Sequence, residues 1–479
     1  MISRRVFLKN ASLATAGLAL GAGPLHAESL FEGGQNQKKK TTSGDKIKLA
    51  CIGIGNRGRQ DIEAFEKTGL VEIVALCDVD LEGKQCEWAL SQYPKAIRCN
   101  DWRDLFEKYG SKFEAVCIAT PDHTHFPISM LALSEGKHVY CEKPMCRTFF
   151  ECELLMEAAR KRGSLVTQIG NQGHSDANYY QFKAWTEAGI IKDITAITAH
   201  MNSSRRWHGF DPKMKHLPEA EPLPAGMNWD AWLGPTPWHD YSSKYHQGNW
   251  RCWYDLGMGA LGDWAMHLVD TAHEFLELGL PYEVSLVDSE NHNEFFYPYS
   301  STILFRFGPR KGMPPVEMTW YDGLKNLPPL PAGYGESEFN PNVPATNQGA
   351  YQRETLNPGS ILYGKDLTFK RGSHAAITHI IPESKEKEME AKGLLPSYEV
   401  PSDHFENFLH AIQGTEKANS AFDKVGELSE VLCLGVIAQR MNAQLYFDPR
   451  TKQFTNNAFA NAMLAGVPPR CGWEWLYKL

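Results

Sequence analysis

One stretch constrains the fold more than any other: Ile47-Lys48-Leu49-Ala50-Cys51-Ile52-Gly53-Ile54-Gly55-Asn56-Arg57-Gly58. An apolar run of strand type breaks on a glycine-rich turn and continues as a helix. Gly53 permits the tight turn, Gly55 lets backbone approach a pyrophosphate, and Gly58 lets the helix lie close on the strand. Surface turns also collect glycine, so the trio alone is weak. Its context is stronger. A second apolar strand, Val71 to Cys77, ends on Asp78, whose carboxylate sits where it can accept from ribose hydroxyls. Ile54, Asn56 and Arg57 complete the turn. The implied ligand is a dinucleotide. Asp78 would repel a ribose 2′-phosphate and Val79-Asp80 offers no arginine for one, which points to NAD over NADP.

Strand and helix keep alternating after this unit. The spacing predicts a helix over Leu81 to Tyr93, another starting at Asp101 with an acidic cap, and a strand over Ala115 to Ile118. A helix then runs to Glu135, a strand covers His138 to Cys141, Thr148 caps a helix to Arg162, and Leu165 to Gln168 forms a sixth strand. Such alternation predicts a doubly wound parallel sheet over residues 46–169, which bind ligands at the strands' carboxyl ends. Two exits fall there: Thr120-Pro121-Asp122-His123-Thr124-His125 and Glu142-Lys143-Pro144.

At 479 residues the chain is too long for one core, and near Gly170 the rhythm changes. A helix over Ala177 to Ala188 precedes an alternating strand, Ile194 to Met201, and then long loops rich in Pro, Trp and His. Residues 301–307 and 315–320 alternate as neighbouring antiparallel strands. Leu327 to Gly349 reads as a long loop, Gly359 to Thr368 as strand, and Asp403 to Ile412 and Val425 to Met441 as helices. Residues 170–479 are therefore expected to form an α+β domain with an open, mainly antiparallel sheet and helices on one face. A homo-oligomer through that sheet's free face is the expected assembly.

The amino terminus reads as an address. Ser3-Arg4-Arg5-Val6-Phe7-Leu8-Lys9, an apolar run to Leu20 and a small-residue exit near Ala27 make residues 1–27 a twin-arginine export signal, implying a periplasmic protein. The apolar run is short of the roughly 20 residues that span a bilayer, so no membrane span is expected in the mature chain. Residues 28–45 are polar and aperiodic, a disordered leader. The net charge of −8 comes with no basic stripe, which argues against nucleic acid as a partner. Eleven cysteines show no pairing framework or zinc-type spacing, so neither disulfide nor metal is expected.

The glycine turn with Asp78, the exit Thr120 to His125, Glu142-Lys143-Pro144, and Gly259-Ala260-Leu261-Gly262-Asp263-Trp264-Ala265-Met266-His267-Leu268-Val269-Asp270 together resemble the glucose-fructose oxidoreductase, inositol dehydrogenase and rhizopine-catabolism family of sugar and polyol oxidoreductases. The resemblance spans most of residues 46–445. It implies NAD held by Gly53, Ile54, Gly55, Asn56, Arg57, Gly58, Asp78, Thr120, Pro121, His125, Glu142, Lys143 and Gln172, with His123 nearby. It also implies that His267 takes the substrate hydroxyl's proton. The chain departs from the family at Gly170-Asn171-Gln172-Gly173-His174-Ser175, where many members carry Arg beside an aromatic.

Simple physics gives Lys143 its role: an ammonium beside the nicotinamide can donate to a hydroxyl and stabilise the alkoxide formed as hydride leaves. Asp263, His267 and Asp270 stand at i, i+4 and i+7, which on an α-helix is one face. Asp263 would bind the neighbouring hydroxyl and hold substrate against Lys143. His174 follows the interdomain crossover and is expected to face the nicotinamide pocket. The belt of Arg205, Arg206, Trp207, His208, Trp229, Trp232, Trp238, His246, Trp250, Arg251, Trp253 and Tyr254 resembles a carbohydrate surface, with Trp250 to Tyr254 expected to line it. The implied substrate is a small sugar, glycoside or polyol, oxidised at a secondary hydroxyl. Two alternatives use the same residues differently: redox-neutral glycoside cleavage through oxidation, elimination, hydration and reduction, or a non-catalytic periplasmic sugar or nucleotide sensor.

Overall fold

The computed structural model describes residues 46–204, 208–246, 248–335 and 356–478. The signal and leader (1–45), the belt residues Arg205, Arg206 and Trp207, and residues 336–349 of the long loop lie outside the described residues.

The first half is β1 (Ile47–Ile52), α1 (Asn56–Lys67), β2 (Val71–Cys77), α2 (Glu87–Gln92), β3 (Ile97–Cys99), α3 (Trp102–Tyr109), β4 (Ala115–Ile118), α4 (Asp122–Ser134), β5 (His138–Cys141), α5 (Phe149–Lys161) and β6 (Thr167–Ile169). The six strands pair in parallel in the order β3-β2-β1-β4-β5-β6. The winding reverses between β1 and β4, and a crevice opens at their carboxyl ends. All four residues of β4 are buried, as a strand covered on both faces must be. Asp101 caps α3 by accepting from the Arg103 amide, and Thr148 and Glu151 form a reciprocal capping box on α5.

The second half holds α6 (Ala177–Glu187), β7 (Ile194–Met201), α7 (Trp229–Leu233), a π turn (Leu261–Ala265), α8 (Met266–Phe275), β8 (Glu283–Glu290), β9 (Ser300–Phe307), β10 (Val316–Asp322), β11 (Gly359–Gly364), β12 (Thr368–Gly372) and β13 (Thr378–Ile381). There follow α9 (Glu383–Ala391), α10 (His404–Gln413), α11 (Phe422–Met441), β14 (Gln444–Asp448), β15 (Gln453–Phe454) and α12 (Ala458–Ala465). Nine strands form one sheet, β13-β12-β11-β7-β10-β9-β8-β14-β15, in which only the β7–β10 pair is parallel. Helix α8 lies on β7 and β11, and α11 on β8 and β9. Among the described residues no helix is long and apolar enough to cross a membrane.

Several boundaries differ from the sequence reading. The helix expected over Leu81 to Tyr93 starts only at Glu87, because Gly83 is extended and a tight 3₁₀ turn follows it. The sixth strand begins at Thr167 because the Leu165 amide closes the end of α5 on the Arg162 carbonyl. Gly359 to Thr368 is not one strand: Gly364 turns back on Leu367 to make the β11–β12 hairpin. Beyond Met441 the chain returns to the first domain. Trp473 packs on Trp102 and the Tyr477 hydroxyl donates to Glu151, while Arg470 donates to the Gly234 carbonyl within the second domain. Helix α10 sets Phe408 and Leu409 into the core formed by Ile54, Phe65 and Tyr140.

Candidate active site

The crevice at the β1/β4 exits is a cavity of about 680 Å³ lined from both domains. Its floor is the glycine turn. Gly53 has φ +79°, and a Cβ there would lie 2.6 Å from the Ala119 carbonyl oxygen; one on Gly58 would lie 1.8 Å from that of Gly53. Only glycine fits either place. The close approach leaves Gly53, Gly55, Asn56 and Arg57 on the cavity wall at the start of α1, while Ile54 and Gly58 lie behind it. Asp78 stands on the same wall, its carboxylate accepting from the Ile54 amide at 3.0 Å and the Asp80 amide at 3.2 Å. Burial pushes Asp78 up and those two amides pull it back. A backbone cradle at a helix N-terminus beside a fixed carboxylate fits a dinucleotide's pyrophosphate and ribose.

The opposite wall carries a cluster of charged side chains. Lys143 leaves β5 through a cis peptide to Pro144, and its Nζ donates to Asp263 Oδ1 at 2.9 Å and to the Asp263 carbonyl at 2.6 Å. Both side chains are nearly buried, and both line the cavity. Burial pushes the Lys143 ammonium below its ordinary range against the pull of Asp263. Arg251 donates to Asp122 at 2.8 and 3.1 Å, lies 3.5 Å from Asp263, and stacks on Trp250 at 4.3 Å. Asp122 is fully buried and also accepts from the Met258 amide, so one carboxylate at the β4 exit positions the segment that leads to Asp263.

Asp263 does not share a helix face with Asp270. Gly259, at φ +59° beneath the Tyr297 ring, starts the segment, and the π turn over Leu261–Ala265 adds a residue before α8 begins. This offset turns Asp263 to Lys143 and Asp270 away. His267 lies between them: it is nearly buried and off the cavity wall, stacked on His374 at 4.1 Å and 23°. Its Nδ1 has no hydrogen-bond partner among the described residues. Burial, then Lys143 and His374, hold its pKa well below the ordinary value, so the ring is a neutral base near pH 7.

Other expected residues are placed elsewhere. His174 does not face the cavity: it is fully buried, with Nδ1 2.6 Å from Asp270 and Nε2 2.9 Å from Glu274. Burial would lower its pKa, but Asp270 and Glu274 outweigh burial and raise it to about 9. Gln172 is off the wall as well, donating to Tyr140 Oη and to Glu142 Oε1, which also takes Arg57 at 2.9 Å. Trp253 is a core ring packed against Phe210, Tyr245 and Phe296, and Tyr254 is buried against Tyr297, so neither lines the site. An aromatic core buries rings whatever their neighbours in sequence. Trp229 stacks on Trp232 beneath the site, whereas Trp238 is exposed. The His123 ring nitrogens lie 3.1 and 2.6 Å from the Leu256 and Trp232 carbonyls, and the buried neutral ring donates to one of them, tying the domains together. Thr120, Pro121 and Glu142 are on the wall, as is His125, whose ring bridges the Pro144 and Thr120 carbonyls. Sequence reasoning missed Asp122, Trp102 and His374; Trp232 and His246, which it placed in the aromatic belt, also line the cavity, as does Trp102. The exit motif that contains Asp122 was the available signal; His374 had none.

A parallel sheet with a glycine-turn cradle, joined to a second domain with an open sheet that brings Arg251 and Asp263 to the same cavity, has the architecture of a two-domain dinucleotide-dependent oxidoreductase. Residues 47–169 match the oxidoreductase family's NAD-binding Rossmann fold and residues 179–300 its C-terminal alpha/beta domain, so the chain belongs to this Gfo/Idh/MocA family and its cofactor is NAD. An inositol 2-dehydrogenase of Salmonella typhimurium is 32% identical over 161 residues, 33% of this chain and 47% of that protein. A glycosyl hydrolase family 109 protein of Shewanella baltica is 31% identical over 190 residues, 36% of this chain and 41% of the other. The chain thus spans under half the length of these relatives. The fold is shared with the WlbA dehydrogenase from Bordetella pertussis, solved with NADH and UDP-GlcNAcA (TM-score 0.55, 16% identity, 84% of this chain and 99% of that one). It is also shared with levoglucosan dehydrogenase, solved with NADH and levoglucosan (TM-score 0.51, 17%, 84% and 99%).

Proposed function

We propose that this protein oxidises a secondary hydroxyl of a sugar, glycoside or polyol. The observation that carries the reading is the Lys143–Asp263 pair, 2.9 Å apart on the wall of the cavity whose floor is the glycine turn. Bound NAD would accept the hydride from the carbinol carbon. Asp263 keeps the buried Lys143 charged and accepts from a second hydroxyl, which fixes the ring's orientation. Lys143 donates to the reacting oxygen and stabilises the alkoxide as it forms. The neutral imidazole of His267, close enough to Lys143 and Asp263 to feel both charges, takes the hydroxyl proton. Trp250, stiffened by Arg251 on its face, offers an aromatic surface for sugar C–H groups.

The match to the glycosyl hydrolase family 109 protein supports a second reading, in which the same oxidation acidifies a neighbouring C–H, the aglycone is eliminated, water adds and the cofactor is restored. A panel of sugars, polyols and chromogenic glycosides, followed for nicotinamide absorbance and free aglycone together, separates the two. Net NADH without aglycone supports the dehydrogenase. Aglycone without net NADH, with solvent deuterium entering the sugar, supports cleavage. Neither signal across the panel sinks both readings and leaves a sensor. The Ser3-Arg4-Arg5 signature supports a periplasmic site of action, checked by fractionating cells that express the full chain.

A further inference from the structure

A second cavity, of about 240 Å³, lies away from the crevice, between the start of α5, the C-terminal half of α11 and helix α12. Its walls are mainly apolar, built from Phe149, Val436, Ile437 and Met463, and Phe459 and Val467 at its edge are exposed. Two guanidinium groups, Arg147 and Arg440, share this apolar space. Arg440 has Asp255 at 3.6 Å. Arg147 makes no hydrogen bond or ion pair with any described residue, and its Nε is sealed from solvent. Asp255 is shared, since it also has the His239 ring at 3.5 Å. The hydroxyl of Tyr254, another residue of the wall, is likewise buried with no partner among the described residues. A guanidinium carries five donors in a planar fork that matches a carboxylate, and polar groups shut in without partners are rare enough to call for an explanation.

We propose that this cavity binds a small amphipathic anion, a carboxylate on a short unbranched apolar body. Arg147 and Arg440 take the carboxylate, and Phe149, Ile437 and Met463 take the body. The volume lies just below the usual range of about 300–1,000 Å³ for ligand pockets, which restricts the occupant to a small molecule. The site shares no lining residue with the NAD crevice, so its test does not depend on the activity proposed above.

Octanoate and its uncharged counterpart octanamide, titrated calorimetrically into the purified full chain, test the idea. Octanoate is expected to bind one to one, at least about tenfold more tightly than octanamide. Arg147→Gln and, separately, Arg440→Gln should each weaken octanoate by about tenfold and leave octanamide unchanged. Ala462→Phe, which fills the cavity, should abolish both. Circular dichroism confirms each variant's fold, and either arginine variant suffices if the other fails to fold. Equal affinity for the two probes, no effect of either arginine substitution in folded protein, or no binding at low millimolar octanoate would overturn the proposal. So would binding that tracks a change in oligomeric state by light scattering, since a second copy would then be the occupant.

Discussion

Lys143 is held by opposing demands: burial drives its proton off, and Asp263 at 2.9 Å keeps it on. A cation so placed is worth most when negative charge develops beside it, so the cost of losing it should fall on turnover. Lys143→Ala and His267→Ala should each lower kcat by on the order of 10²- to 10⁴-fold while NAD binding, read by nicotinamide fluorescence, stays nearly unchanged. The double variant should lose little more than either single one, because both act on one hydroxyl. Near-normal turnover by His267→Ala would move the base elsewhere, and the His174 cluster is too occupied with its two carboxylates to replace it. His374 adds a finer test. Its ring lowers the pKa of His267, and the base must be unprotonated to act, so His374→Ala should move the acid limb of kcat/KM to higher pH. At the other end of the crevice, Asp78→Ser removes the carboxylate that disfavours a 2′-phosphate. The ratio of NAD to NADP affinity should fall; tighter NADP binding by the unaltered protein would refute the assignment.

At the scale of elements, the crossover from β6 into α6 is pinned to α8 by a buried charge cluster, with His174 between Asp270 and Glu274. Its pKa is raised to about 9 from 6.5, so the proton it holds stabilises the fold fully below about pH 6.5, and that contribution is lost as pH rises through about 9. The difference corresponds to about 3 kcal/mol. Urea midpoints should therefore fall between pH 6 and pH 10 more steeply in the unaltered protein than in His174→Gln, and parallel profiles would contradict the cluster's charge. The same region shows what a sequence can and cannot carry. The glycine turn, Lys143 and Asp263 were legible because each lies in a short motif whose geometry is local. Asp270 was misplaced because i, i+4, i+7 counting assumes an unbroken α-helix, and a π turn is invisible to periodicity. His174 and Trp253 were misassigned because burial is decided by segments far away in the chain, Glu274 on α8 and Phe296 near β9. His374 reaches the site from the β12–β13 turn, and no local pattern ties it to His267.

Across the whole molecule the two domains are tied together at several separate places around the crevice. Arg251 pairs with Asp122, the His123 ring meets the Leu256 and Trp232 carbonyls, α10 enters the first domain's core, and the tail beyond α12 returns through Trp473 and Tyr477. A hinge so tied opens rarely, and a dinucleotide lying under it should leave slowly. NAD is therefore expected to stay bound through purification, released as free nucleotide only when the protein is denatured and measured in the supernatant by chromatography. Slow release would also suit a protein exported already folded, which has one opportunity to load. Removing residues 469–479 cuts the tail's ties and takes away no residue of the crevice wall itself, though Trp102 on that wall loses its Trp473 neighbour, so the shortened protein should bind NAD in the same site but release it faster in a chase with excess unlabelled cofactor. If instead the full chain emerges empty and takes up NAD only at millimolar concentration, or the tail's removal leaves the release rate unchanged, these ties do not hold the crevice closed.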